Sequence, residues 1–92
     1  MNNKHKCSNE ELYEIISRIK TKEEAKDLLA DLCTPGEITA MSQRLIAAKL
    51  LIGGYTYEQV IAVTDISSAT LSRVSKCVKK GKGYTALLKK EE

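Results

Sequence analysis

The stretch Ser67-Ser68-Ala69-Thr70-Leu71-Ser72-Arg73, with Lys76 and Lys79 beyond it, sets short hydroxyls and long cations at helical spacing. Leu71, Val74 and Val78 recur three and four residues apart, so a helix here turns them inward and leaves Ser68, Ala69, Ser72, Arg73 and Lys76 facing outward. Such a face suits a phosphate-rich partner. Serine and threonine hydroxyls reach phosphate oxygens or base edges; lysine neutralises phosphate; arginine does the same or grips a guanine with two hydrogen bonds. Ser67 would open the helix, whose first backbone N–H groups and positive dipole end also attract phosphate. The candidate DNA-binding set is therefore Ser67, Ser68, Ala69, Thr70, Ser72, Arg73, Lys76 and Lys79, with Lys80 and Lys82 expected to hold the backbone. A solvated helix face has the same composition, and for each lysine that reading stands beside the first.

Other chemistry finds little to work with. The one histidine, His5, sits in a polar N-terminal stretch, and Cys7, Cys33 and Cys77 are 26 and 44 residues apart. Neither metal-ligand spacing nor a nucleophile–base pair results, so no catalytic residue, no metal site and no enzyme are expected. An odd number of unpaired cysteines reads as reduced thiols in the cytosol. Cys33 and Cys77 fall among apolar neighbours, where a free cysteine is usually a small core residue. No apolar segment of a signal peptide opens the sequence, and no run reaches the roughly 18 apolar residues of a membrane span. The expected location is cytoplasmic, with no membrane partner.

Charge supports the first reading. The formal net charge is +3, but residues 1–65 carry eight Lys or Arg against ten Asp or Glu, whereas residues 66–92 carry seven against two. No acidic residue lies between Asp65 and Glu91. A basic segment attached to a near-neutral scaffold points to a polyanion, nucleic acid before membrane surface.

The elements that must position this face are helices. A single proline and five glycines are too few for an all-β chain, and with no Trp or Phe the core must be aliphatic. Ser8 with Glu11, Thr21 with Glu24, and Thr56 with Gln59 have the spacing of a capping box. Thr34-Pro35-Gly36-Glu37 adds proline at a first helical position, where its missing N–H costs nothing. Leu12, Ile15, Ile16 and Ile19 stripe a first helix; Ala25, Leu28, Leu29 and Leu32 a second. Ile38, Met41, Leu45, Ala48 and Ile52 line a third, which Ile46, Ala47, Leu50 and Leu51 make apolar nearly all round before Gly53-Gly54 ends it. Helices over about Thr56–Thr64, Ser67–Lys80 and Tyr84–Lys90 follow. The expectation is an all-α chain of six helices forming one domain over residues 1–92, with residues 1–7 as a disordered tail.

Residues 56–80 fit a helix-turn-helix. Val60 and Val63 are expected to point inward, Thr64-Asp65-Ile66 to form the turn with Ile66 plugging it to the core, and Leu71, Val74 and Val78 to anchor the second helix. Asp65 occupies the position where such turns usually carry a left-handed glycine, and Asp tolerates that backbone better than most residues.

From Thr34 to Lys79 the order of features resembles the Trp repressor family, in particular its YerC/YecD-type branch. The residues that carry the resemblance are Leu32-Cys33-Thr34-Pro35, Arg44, Leu50-Leu51, Gly53 and Ala69-Thr70-Leu71-Ser72-Arg73. It implies a Trp-repressor-like fold, an intertwined homodimer, and repression through a palindromic operator in double-stranded DNA. The over-apolar third helix independently calls for a second copy, since obligate dimer interfaces resemble a core cut in half. The family's indole-binding positions correspond to Thr34, Arg44 and Arg73, which are present here. Val74 and Cys77, however, stand where that family has Gly and Ser. A ligand pocket of Thr34, Arg44, Arg73, Val74 and Cys77 is thus a candidate, but tryptophan is not expected to be its corepressor. No cofactor is expected; another small molecule stays open as effector.

Two functions from different classes remain on this reading. The first is a sequence-specific DNA-binding transcriptional regulator, and the second a helical adaptor using the same helices for protein contacts. Salt separates them, because phosphate contacts weaken log-linearly with salt and largely apolar ones do not.

Overall fold

A computed structural model describes residues 7–88, so His5, Lys89, Lys90 and all of the expected tail but Cys7 lie outside the described residues. The described residues form six helices and no strands: α1 (Asn9–Ile16), α2 (Lys22–Leu32), α3 (Pro35–Ile52), α4 (Tyr57–Thr64), α5 (Ser68–Lys80) and α6 (Gly83–Leu88). The chain divides into two compact units, residues 1–34 and 35–92, at the proline that opens α3.

The first unit holds α1 and α2. Ser8 caps α1 by accepting from the Glu10 amide at 3.2 Å, one position short of the capping-box partner expected at Glu11. Thr21 does accept from the Glu24 amide at 3.0 Å, but the Glu24 carboxylate reaches back to the Lys20 amide at 2.8 Å instead of the amide of Thr21. Ile19 is not part of α1. The helix stops at Ile16 because Ser17 takes over as its cap, its hydroxyl donating to the Glu14 carbonyl at 2.7 Å. Arg18 and Ile19 then make tight turn bonds back to Ile15 and Ile16, at 3.0 and 3.1 Å. Leu12, Tyr13, Ile15, Ile16 and Leu32 of this unit are all exposed.

In the second unit α3 is the central element, packing against α4, α5 and α6. Its middle carries Ala47 and Ala48, both fully buried, and their small side chains let the neighbouring helices approach. Val60 of α4, Ile66 of the turn, and Leu71 and Val74 of α5 complete the buried cluster. Removing a side chain such as Leu71 from water contributes about 1.5–3 kcal/mol, so these few residues hold α5 against α3. Leu50, Leu51, Ile61, Val78, Tyr84 and Leu88 pack around them, half-buried.

Burial departs from expectation at a few positions. Val63 does not point inward: it is 64% exposed, and Thr64, four residues after Val60, takes the buried place beside half-buried Ile61. Leu45 and Ile46, on the helix expected to meet a second copy, are 48% and 44% exposed in the single chain. The other stripe positions Ile38, Met41 and Ile52 are half-buried. Cys33 and Cys77 are half-buried free thiols rather than core residues.

Candidate nucleic-acid interface

The interface is built around a turn whose geometry is fixed by hydrogen bonds. Thr56 and Gln59 form a complete capping box at the start of α4, with the Thr56 hydroxyl accepting from the Gln59 amide at 3.2 Å and Gln59 Oε1 accepting from the Thr56 amide at 2.9 Å. At the other end Asp65 adopts the left-handed conformation, φ 65° and ψ 17°, and its N–H closes α4 onto the Ile61 carbonyl at 2.8 Å. It is the one non-glycine residue with positive φ among the described residues. Buried Thr64 stitches the turn: its hydroxyl donates to the Val60 carbonyl at 2.8 Å and accepts from the Ile66 N–H at 3.2 Å. Gln43 of α3 then donates from Nε2 to the Thr64 carbonyl at 3.1 Å.

The turn delivers α5 with one face in and one face out. Leu71, Val74 and Ser75 are buried and Val78 is half-buried; Ser68, Ala69, Ser72, Arg73, Lys76 and Lys79 are exposed. The expected DNA-contacting residues therefore do share the outer surface of one helix. Ser67 and Thr70 belong to its start: Ser67 is the N-cap, accepts from the Thr70 amide at 3.2 Å and donates to Thr70 Oγ1 at 3.0 Å. Helices α1 to α4 each carry an acidic residue in their first turn, Glu10, Glu23, Glu37 and Glu58 among them, whereas the first turn of α5 carries none. Its positive dipole end is left uncompensated by any side chain of that turn. Lys79 and Lys80 occupy the last turn, where cations also offset the negative end of the helix.

The candidate ligand residues are distributed over both units. Thr34 ends the first; Arg44, Arg73, Val74 and Cys77 lie in the second. Arg44 is half-buried on α3, Arg73 is exposed on α5, and the Val74 side chain is committed to the core at 1% exposure. Cys77 lines an open apolar groove of about 420 Å3 with Leu45, Tyr84, Leu87 and Leu88. No group of three or more His, Cys, Asp or Glu side chains is placed to hold a metal among the described residues.

The sequence reading missed three residues. Ser75 is buried, and its spacing from Leu71 and Val78 would have placed it there. Thr64, four residues after Val60, carries the same mark, whereas Gln43 carries none, because its bond joins residues 21 apart in sequence.

The sequence profile of the Trp repressor protein family matches residues 8–92. The chain belongs to the Trp repressor family. YerC of Bacillus subtilis, an uncharacterized protein, is 39% identical over 72 residues, spanning 78% of this chain and 69% of YerC, which places the chain in the YerC-type branch. A Staphylococcus aureus crystal structure, provisionally assigned as a Trp repressor, superposes with a TM-score of 0.80 at 39% identity, covering 86% of this chain and 80% of that one. A TrpR-like protein of Eubacterium eligens gives a TM-score of 0.78 at 37% identity, covering 97% of this chain and 100% of that one. Membership places this Trp repressor relative among DNA-binding transcriptional regulators, a class of binding proteins and not of enzymes. No helix among its described residues is long and apolar enough to cross a membrane.

Proposed function

We propose that this Trp repressor family member is a cytoplasmic homodimer that binds a palindromic operator in double-stranded DNA through α5 and represses transcription without tryptophan as corepressor. The observation that carries the reading is α5 itself. Its buried Leu71 and Val74 turn Ser68, Ser72, Arg73, Lys76 and Lys79 outward from a helix start free of acidic side chains. Base edges in the major groove are read by a helix presented in this way, and phosphates by the cations flanking it.

Exposed apolar surface supports the dimer. Leu45, Ile46 and Leu87 expose 48%, 44% and 84% of their surface, and the groove that Leu45 and Leu87 share is lined almost wholly by apolar side chains. A small chain gains a sufficient core when a second copy covers such a face. Two copies related by a two-fold axis would present their α5 helices to successive major grooves, about 34 Å apart. Val74 supports independence from tryptophan, since its side chain occupies the helix where the family's ring-binding glycine leaves bare backbone. A different small molecule would have to be held by Arg44, Arg73 and Cys77, since the Val74 side chain is committed to the core.

Selection of preferred duplexes from a random DNA pool tests the proposal. A palindrome is expected, with half-sites about one helical turn apart. A pool that stays random after selection rejects it. Binding that is insensitive to salt would instead favour the adaptor, whose contacts would draw on the exposed Ile46 and Val63.

A further inference from the structure

Two kinds of interaction hold the helix-turn-helix to α3. The buried cluster of Ala47, Ala48, Val60, Ile66, Leu71 and Val74 is non-directional, so it tolerates small rotations of α4 and α5 over α3. The bond from Gln43 Nε2 to the Thr64 carbonyl is directional and weakens steeply with distance and angle. The side-chain bonds at the α4 cap, in the turn and at the α5 cap span four residues or fewer and fix each element internally. Gln43 alone of these ties the turn to another helix.

Its acceptor is well chosen. The last carbonyls of a helix lack intrahelical partners, and that of Thr64 sits at the end of α4, directly before left-handed Asp65. Thr64 is 8% exposed, so its carbonyl has little access to water. The Thr64 hydroxyl holds the Ile66 amide, and Ser67, the next residue, caps α5. A displacement at Thr64 is therefore passed through two residues to the start of the helix that carries Ser68, Ser72 and Arg73.

We infer that Gln43 is a positioning residue for DNA recognition: its bond to Thr64 sets the orientation of α5, and with it the ability to tell one base sequence from another. The inference rests on the DNA-binding reading above. It has a signature that a purely structural role lacks. Hydrogen bonds to base edges demand placement within a fraction of an ångström, whereas phosphate attraction is long-ranged and tolerates small shifts. Loss of the bond should thus lower discrimination while leaving non-specific binding in place.

The experiment compares wild type with Gln43→Met, which keeps the side-chain length and removes the donor. Each is titrated with the duplex selected from the random pool and with a random-sequence duplex of equal length. For the variant, the ratio of the two affinities is expected to fall roughly five- to tenfold, the effect of misplacing about one hydrogen bond between α5 and a base edge, with random-duplex affinity held within about twofold. A folded variant with the wild-type ratio overturns the inference, as does one that weakens both duplexes equally. Wild type that fails to prefer the selected duplex instead overturns the DNA-binding reading itself. A measurement on the wild-type protein keeps the test independent of whether the variant folds. The Gln43 carboxamide protons should exchange with solvent more slowly than those of Gln59, whose side chain is exposed. Equal exchange rates would also overturn the inference.

Discussion

Ser67 holds Thr70 by two hydrogen bonds, accepting from its amide at 3.2 Å and donating to its hydroxyl at 3.0 Å. The two hydroxyls at the start of α5 thus serve the helix before they serve any ligand. Ser68, between them in sequence, is exposed and makes neither bond. This divides the three small polar residues of the helix start into two that set the helix and one, Ser68, that the proposed reading assigns to DNA.

Ser67→Ala is expected to lower stability by about 1 kcal/mol, the usual cost of a lost N-cap, and to weaken binding to selected and random duplexes together. Ser68→Ala should leave stability within roughly 0.5 kcal/mol and change the preferred sequence. Urea unfolding paired with repeat selection from the random pool measures both. Equal destabilisation by the two substitutions would contradict the division.

Helix existence was readable because its causes are local. The Thr56–Gln59 box, Pro35 opening α3 and the Leu71/Val74 spacing each act within a turn or two, and each appears where it was expected. The turn at Asp65 was readable for the same reason, since only a few residue types accept φ near 65°. What failed depended on neighbours distant in sequence. Val63 looked inward by composition, but the packing of α4 on α3 buries Thr64 instead, where its hydroxyl finds the Val60 carbonyl. Gln43 had no local signature at all. Ile19 failed differently: Ser17 offered the backbone a competing bond and ended α1 early.

Leu45→Asp tests the second copy. Leu45 is 48% exposed and borders the groove shared with Leu87 and Leu88, so a carboxylate there costs little within one chain. Buried at a subunit interface, the same unpaired charge is strongly destabilising. The variant is expected to lose the dimer, and folding with it where the monomer's own core is too small. Sedimentation equilibrium and circular dichroism read these together. A stable dimer would show that this face lies outside the interface.

Arg73 and the lysines after it should separate by salt. Replacing Lys79, Lys80 and Lys82 with alanine removes charge from the end of α5, and each one that meets a phosphate lowers the slope of log affinity against log salt by about 1. Arg73→Ala should cost about 1–3 kcal/mol on the selected duplex and relax preference at one base position, if its guanidinium meets a base edge as its exposure on α5 permits. Fluorescence titrations over a range of salt concentrations give both quantities. An unchanged slope returns the lysines to a solvated helix end, and an unchanged Arg73→Ala affinity removes that residue from the interface.

L-tryptophan is expected neither to bind this protein at micromolar concentration nor to tighten its grip on the selected duplex. The reason lies in Val74 and Cys77. Val74 is 1% exposed because its side chain fills the cluster with Leu71, Ile66 and Val60, so the α5 backbone at this position is covered. Cys77 offers a thiol, a weaker donor than the hydroxyl it replaces, and faces an apolar groove. Restoring the glycine would not simply restore a site. Val74→Gly removes a buried side chain from the core and adds a glycine to a helix interior, which together cost about 2–4 kcal/mol. The position is thus tied to the stability of the fold, and the proposed independence from tryptophan rests on how α5 is packed. Calorimetric titration with L-tryptophan, alone and with the selected duplex present, decides the matter, and micromolar binding in either experiment would refute it.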